Sequence, residues 1–158
     1  MSELRVPTRA LSCTITCVDG RQFIGRLFVP ETSMRHDGAT RAVELLNDQS
    51  AFFPFQPEEG GPPFVIGKRD LLYLTVPAGA DITSPADVEE VPLVAREVVV
   101  ECGPRTVNGT IRIEMPENQT RVLDFVNQPA PFLVVQDGEL HHLVQKKRIT
   151  RIVEVRKE

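Results

Sequence analysis

Thr14-Ile-Thr-Cys-Val-Asp-Gly-Arg-Gln-Phe-Ile-Gly-Arg-Leu-Phe-Val29 decides the fold, because the chain uses the pattern twice. Val98-Val-Val-Glu-Cys-Gly-Pro-Arg-Thr-Val-Asn-Gly-Thr-Ile-Arg-Ile113 lies over it at an offset of 84, with Arg21 on Arg105 and Gly25 on Gly109. Arg41-Ala-Val-Glu-Leu-Leu-Asn47 then matches Arg121-Val-Leu-Asp-Phe-Val-Asn127 at an offset of 80, and Phe52-Phe-Pro-Phe55 falls on Phe132-Leu-Val-Val135. Val65-Ile-Gly-Lys-Arg-Asp-Leu-Leu-Tyr-Leu74 covers Leu143-Val-Gln-Lys-Lys-Arg-Ile-Thr-Arg-Ile152 at an offset of 78. Matched blocks in one order read as an internal duplication.

Each copy reads mainly as strand. Thr14 to Val18 and Val98 to Cys102 are rich in β-branched residues, Asp19-Gly20 signals a hairpin turn, and Gly25 to Val29 and Gly109 to Ile113 are the returning strands. Thr40 to Asn47 and Thr120 to Asn127 each predict a two-turn helix, opened by a capping Thr and closed by an Asn where a left-handed residue is tolerated. Phe52 to Phe55 and Phe132 to Val135 restart the sheet. The closing strands are Phe64 to Ile66 with Asp70 to Val76, and His142 to Val144 with Arg148 to Val155. Five short strands and a helical turn per copy predict a small barrel. The first repeat spans 11–77, a Pro-rich and acidic linker 78–95, and the second repeat 96–156. At about 65 residues each copy sits at the low end for a self-sufficient core, so the two are expected to share a buried face.

Composition narrows the class. The 158 residues are 41% apolar and 25% charged, which excludes disordered, collagen-like and transmembrane classes. No apolar run approaches the length of a membrane span, and Met1 to Pro7 lacks the apolar core of a secretory signal, so a cytoplasmic chain with no membrane association is expected. The net charge of −4 argues against a dedicated nucleic-acid binder. Cys13, Cys17 and Cys102 read as reduced thiols.

The string Val18-Asp-Gly-Arg-Gln-Phe-Ile-Gly-Arg-Leu27, followed by Val65-Ile-Gly-Lys-Arg-Asp-Leu-Leu-Tyr-Leu-Thr-Val76, resembles the Sm-like small barrels, which include bacterial RNA chaperones. The Arg-x-x-[Glu/Asp]-[Leu/Phe]-[Leu/Val]-Asn block is similar to that of an uncharacterised bacterial domain family. The resemblance implies a mainly β fold of two tandem Sm-like or SH3-like barrels, each with one short helix, packed as a pseudo-dimer. It also implies RNA contacts from an Asp and an Asn in a tight loop soon after the second Gly. Here Asn47 lies 22 residues beyond Gly25 and Asn127 lies 18 beyond Gly109, so both are expected to end helices instead.

Catalytic and metal signals are thin. No nucleophile elbow, phosphate loop or dinucleotide fingerprint occurs. Glu44 and Asp124 suit the electrostatics of a helix N-terminus. His141 and His142 point to opposite faces of a strand, and Cys13 and Cys17 lie roughly 13 Å apart on another, too far for one zinc. No enzyme activity, metal or cofactor is expected. Two surfaces remain. Phe52, Phe53, Phe55 and Phe64 form a candidate protein-binding patch. Lys68, Arg69, Lys146, Lys147, Arg148 and Arg151, on the basic closing strands, form a candidate RNA or phosphate surface, with solvated strand edges as the plainer reading. The leading expectation is a non-catalytic adaptor or assembly module that binds protein partners, itself included; RNA binding is the alternative.

Overall fold

Alternation between buried and exposed side chains organises the strands. In β1 (Thr8–Cys17) Leu11, Cys13, Ile15 and Cys17 are buried; in β6 (Val94–Cys102) Val98, Val100 and Cys102 are. The computed structural model describes residues 8–30, 42–77, 94–113 and 121–155. The remaining elements are β2 (Gln22–Pro30), α1 (Ala42–Asn47), β3 (Phe52–Pro57), β4 (Phe64–Gly67), β5 (Leu71–Pro77), β7 (Arg105–Ile113), α2 (Val122–Val126), β8 (Phe132–Asp137), β9 (Leu140–Gln145) and β10 (Arg151–Glu154). Short 3-10 turns at Lys68–Asp70 and Lys146–Arg148 precede β5 and β10. The chain is mainly β, as expected.

Among the described residues, ten strands form one antiparallel sheet that does not close, in the order β10-β6-β7-β8-β9-β5-β1-β2-β3-β4. The first five strands pair in the order β5-β1-β2-β3-β4 and the last five in the order β10-β6-β7-β8-β9. Registers agree between the halves. Phe53 faces Ile66 as Leu133 faces Val144, and Ile15 faces Leu74 as Val100 faces Ile152, so β4 with β9 and β5 with β10 share the offset of 78 (144 − 66 and 152 − 74).

One alignment requires correction. Cys13 faces Gly25 and Val98 faces Gly109, so an offset of 84 between the glycines becomes 85 (98 − 13) between their partners. The hairpin turn of the second half is one residue shorter, and Cys102 therefore corresponds to Cys17 rather than to Val18. The burial pattern agrees, because a one-residue slip would turn every core residue of the strand outward.

Gly25 and Gly109 are matched for a steric reason. A Cβ on Gly25 would lie 2.1 Å from the Gln56 carbonyl oxygen, and one on Gly109 would lie 2.4 Å from that of Gln136. The next strand crosses β2, or β7, at these points and leaves room for hydrogen only.

Two cores flank the central strands. The first gathers Leu11, Ile15, Leu27, Leu46, Phe53, Phe55 and Leu74; the second gathers Val98, Val100, Ile111, Leu133, Val135 and Val144. At the seam, β5 pairs with β9 from Tyr73↔Val144 to Pro77↔Leu140. Leu74 and Val76 face the first core while Leu72 enters the second, and Leu143 returns to the first while Val144 stays in the second. Strands apolar on both faces need cover on both, and each half supplies one cover.

The second helix is shorter than expected, since Arg121 before it is extended. Thr40 and Thr120, the expected caps, lie outside the described residues, as do 78–93 of the expected linker; β6 already begins at Val94. Asn127 does close α2, but at φ −82° and ψ 1°, not in the left-handed region.

Candidate functional site

The two faces expected from sequence are reorganised by strand alternation and by the 3-10 turns. Among the four phenylalanines, Phe53 and Phe55 point into the first core. Phe64 is half-buried, its ring 5.3 Å from that of Phe23 and 5.5 Å from that of Phe55. Phe52 alone stands out, 61% exposed. The contiguous patch of four is therefore corrected to a smaller one. Phe52 and Pro54 share the outer face of β3, and Val65, opposite Pro54 on β4, is 64% exposed.

The patch spans the last two strands of the sheet, Phe52 and Pro54 on β3 and Val65 on β4, and among the described residues β4 pairs with no strand other than β3. Beside β4 runs an open groove of about 650 Å³ whose apolar wall includes Phe23, Phe64 and Ile66 and whose polar wall includes Asp19, Arg21 and Asp70. Asp19 accepts the Arg21 guanidinium at 2.7 Å, and its carboxyl sits below the usual range, chiefly through a hydrogen bond from the Arg21 backbone N–H. The opposite end of the sheet is β10, where Val153 is 41% exposed.

Most of the basic residues are already engaged. Five of the six lie on the 3-10 turns rather than on closing strands; only Arg151 is on a strand. Lys68 is 7% exposed, and its ammonium donates to the Leu45 carbonyl at 2.6 Å, to Asp48 Oδ1 at 2.7 Å and to Ser50 Oγ at 3.3 Å. It ties down the end of α1 and is closed to a phosphate. Lys146 occupies the matching place below α2 and donates to the Gln128 carbonyl at 2.9 Å; burial lowers its pKa. Arg151 pairs with Glu101. Arg148 donates from Nε to the Arg69 carbonyl at 3.1 Å while its head stays exposed. Arg69 and Lys147 are exposed on neighbouring turns.

Other residues at the seam escaped the sequence reading. Gln145 is buried and its amide donates to the carbonyls of Lys68, Arg69 and Leu71 at 3.1, 3.2 and 2.7 Å. Asn47 Oδ1 accepts the Phe132 backbone N–H at 2.9 Å, so this Asn joins the two halves. His142 shares a hydrogen bond of 2.8 Å with Thr75 and lies 3.3 Å from Asp137. The signal available for Gln145 was its break of the otherwise apolar run from Leu143.

The three thiols are buried, and burial pushes Cys13 up to about 12 and raises Cys17 and Cys102. Such thiols are poor nucleophiles. Among the described residues no three His, Cys, Asp or Glu side chains are placed to hold a metal ion, and no helix is long and apolar enough to cross a membrane. Comparison with protein families, curated proteins and solved structures finds no match to the chain.

Proposed function

We propose that this protein is a non-catalytic assembly module: two tandem Sm-like small barrels, packed as a pseudo-dimer, that bind protein through the free β4 edge. One observation carries the reading. Phe52 and Pro54 on β3 and Val65 on the terminal strand β4 expose apolar surface at the end of the sheet beside a groove, where an extended segment of a partner paired with β4 gains both main-chain hydrogen bonds and side-chain contacts. Exposed apolar side chains on an unpaired edge are an aggregation hazard unless a partner uses them.

RNA or phosphate binding is the second reading. It rests on Arg69 and Lys147, exposed on adjoining turns, and on Arg148, which is exposed but also donates to the Arg69 carbonyl. It draws little from Lys68, Lys146 and Arg151, which are bonded within the chain. The net charge of −4 also disfavours it.

A photo-crosslinking side chain at Phe52 tests the proposal in cells. Protease-sensitive, nuclease-resistant adducts are expected; nuclease-sensitive adducts, or none, would overturn it. A filter-binding titration with a mixed single-stranded RNA pool at two salt concentrations, beside a Lys146/Lys147/Arg148→Ala variant, reads the second possibility directly.

A further inference from the structure

The groove beside β4 has a counterpart in the other half, and the two are lined differently. By the matched registers Cys17 corresponds to Cys102, Phe23 to Val107 and Ile66 to Val144, and by the matched 3-10 turns Asp70 corresponds to Arg148. In the second half this place is closed, because Leu72 of the first half packs there with Cys102, Val107 and Val144. The hairpin turn bounding it, Gly103-Pro104, carries no acid, and Arg148 donates to the Arg69 carbonyl. In the first half the place is an open groove of about 650 Å³ whose wall carries Asp19 and Asp70. We propose that this groove takes a basic side chain, lysine or arginine, from an extended segment of a different protein paired with β4.

This inference rests on the assembly-module reading and names the chemistry of its partner. Side chains of β4 alternate. Val65 points outward opposite Pro54, whereas Ile66 is buried and Phe64 lies against Phe23. A strand laid along β4 alternates in the same way, so one set of its side chains covers the outer patch and the next enters the groove. The segment recognised is therefore apolar on one face and basic on the other.

The acids are held where such a side chain arrives. The Val18 N–H donates to the Asp70 carbonyl at 2.9 Å, which fixes the turn bearing Asp19 beside the turn bearing Asp70. A Cβ on Gly67 would lie 3.6 Å from Asp70 Oδ2, so this carboxylate stands at the end of β4. Both carboxylates act on the Cys17 thiol, which is raised by burial first and then by the charges of Asp19 and Asp70, against Arg21. Arg21 already displays the binding mode, 5.5 Å over the Phe23 ring and 2.7 Å from Asp19. Asp70 has no ion-pair partner among the described residues. An apolar side chain in the manner of Leu72 would strip water from these carboxylates without replacing its hydrogen bonds, and a cation replaces them. A second copy is the poorer source, since Arg151 and Arg96 at its free end are paired with Glu101 and Glu154.

Fluorescence anisotropy of the full chain provides the test, with labelled peptides of one length that alternate valine with lysine, with glutamate or with glutamine. The valine–lysine peptide is expected to bind, more weakly as salt rises, and the other two roughly tenfold less tightly. Asp19→Asn with Asp70→Asn removes that preference, and Asp70→Lys shifts it toward the glutamate peptide. Glu139→Gln, an exposed acid on the β8–β9 turn, leaves it unchanged. Circular dichroism confirms that each variant is folded. Equal affinity for the three peptides, or a lysine preference that survives loss of both carboxylates, would overturn the inference. Self-association of the chain that disappears with the two carboxylates would make the occupant a second copy and overturn it as well. Phe52 adducts to a protein that persist in the Asp19→Asn, Asp70→Asn variant would leave the module reading standing and remove this one.

Discussion

Lys68 and Asp48 form the most enclosed ion pair among the described residues: the ammonium lies 2.7 Å from Asp48 Oδ1 and is itself almost wholly buried, while the carboxylate is half open to solvent. The same nitrogen caps α1 through the Leu45 carbonyl, so one side chain joins the 3-10 turn to the helix. Removing it strands a carbonyl and a carboxylate, and Lys68→Ala is expected to cost about 1–3 kcal/mol in urea unfolding. Lys146→Ala, which loses a single carbonyl partner at a half-buried site, costs about 1 kcal/mol. Equal losses at the two positions would contradict the difference in burial.

The Asp48 carboxyl gives this pair a pH signature. Burial alone would raise its pKa, but hydrogen bonds from Lys68 and Ser50, with the charge of Lys68, more than offset that and hold it below the ordinary carboxylate value. A group depressed in the folded state stabilises fully above its unfolded pKa and loses that contribution as pH falls through the folded one. Thermal unfolding of the wild type should therefore drop in midpoint on acidification below about pH 4, the unfolded carboxylate range. Lys68→Met should show a shallower drop over that interval. A parallel pair of curves would mean that Asp48 is indifferent to Lys68.

Strand content, hairpin positions and the matched glycines were legible because they depend on local chemistry. Period-two alternation was equally available, and applied to Phe52 to Phe55 it separates the two inward rings from the outward one. What was not legible depends on contacts distant in sequence. Gln145 bonds residues 74–77 positions away, and Asn47 bonds one 85 away. Lys68 reads from sequence as a solvated cation because nothing local shows that α1 ends beneath it. The offset of the first strand slipped for a related reason: a turn one residue shorter is invisible until the registers on both sides are known.

Gly25 and Gly109 test whether the close strand crossings are needed. A methyl group at Gly25 would meet backbone oxygen at 2.1 Å and the Phe55 ring at 2.9 Å, neither of which yields easily. Gly25→Ala and Gly109→Ala are each expected to destabilise by about 3 kcal/mol, at the upper end of overpacking costs. Gly61→Ala is the control, because its nearest atom, on Pro57, lies 3.7 Å away. Chemical denaturation of the three variants checks the order.

Burial of the thiols predicts their chemistry. With Cys13 pushed up to about 12 by desolvation and its two companions raised, the native chain should react with a thiol reagent at pH 8 far more slowly than unfolded chain does. Rapid stoichiometric labelling under native conditions would show that β1 or β6 opens readily. Full labelling of all three should appear only in denaturant.

Gln145 connects the seam to cooperativity. Its amide reaches three carbonyls of the first half from the end of β9, and its loss leaves them without that donor in a region both cores depend on. Gln145→Ala is expected to cost about 1–3 kcal/mol. The cost should fall unevenly. Amide hydrogen exchange should accelerate first along β5 and β9, while β2 and β7, each central in its own half, keep more of their protection. Asn47→Ala should act in the same direction by less, since it removes one hydrogen bond to Phe132 at the edge of the same seam. If both variants instead lowered protection uniformly, the ten strands would open as a single unit, and the seam would be no weaker than the sheet on either side of it.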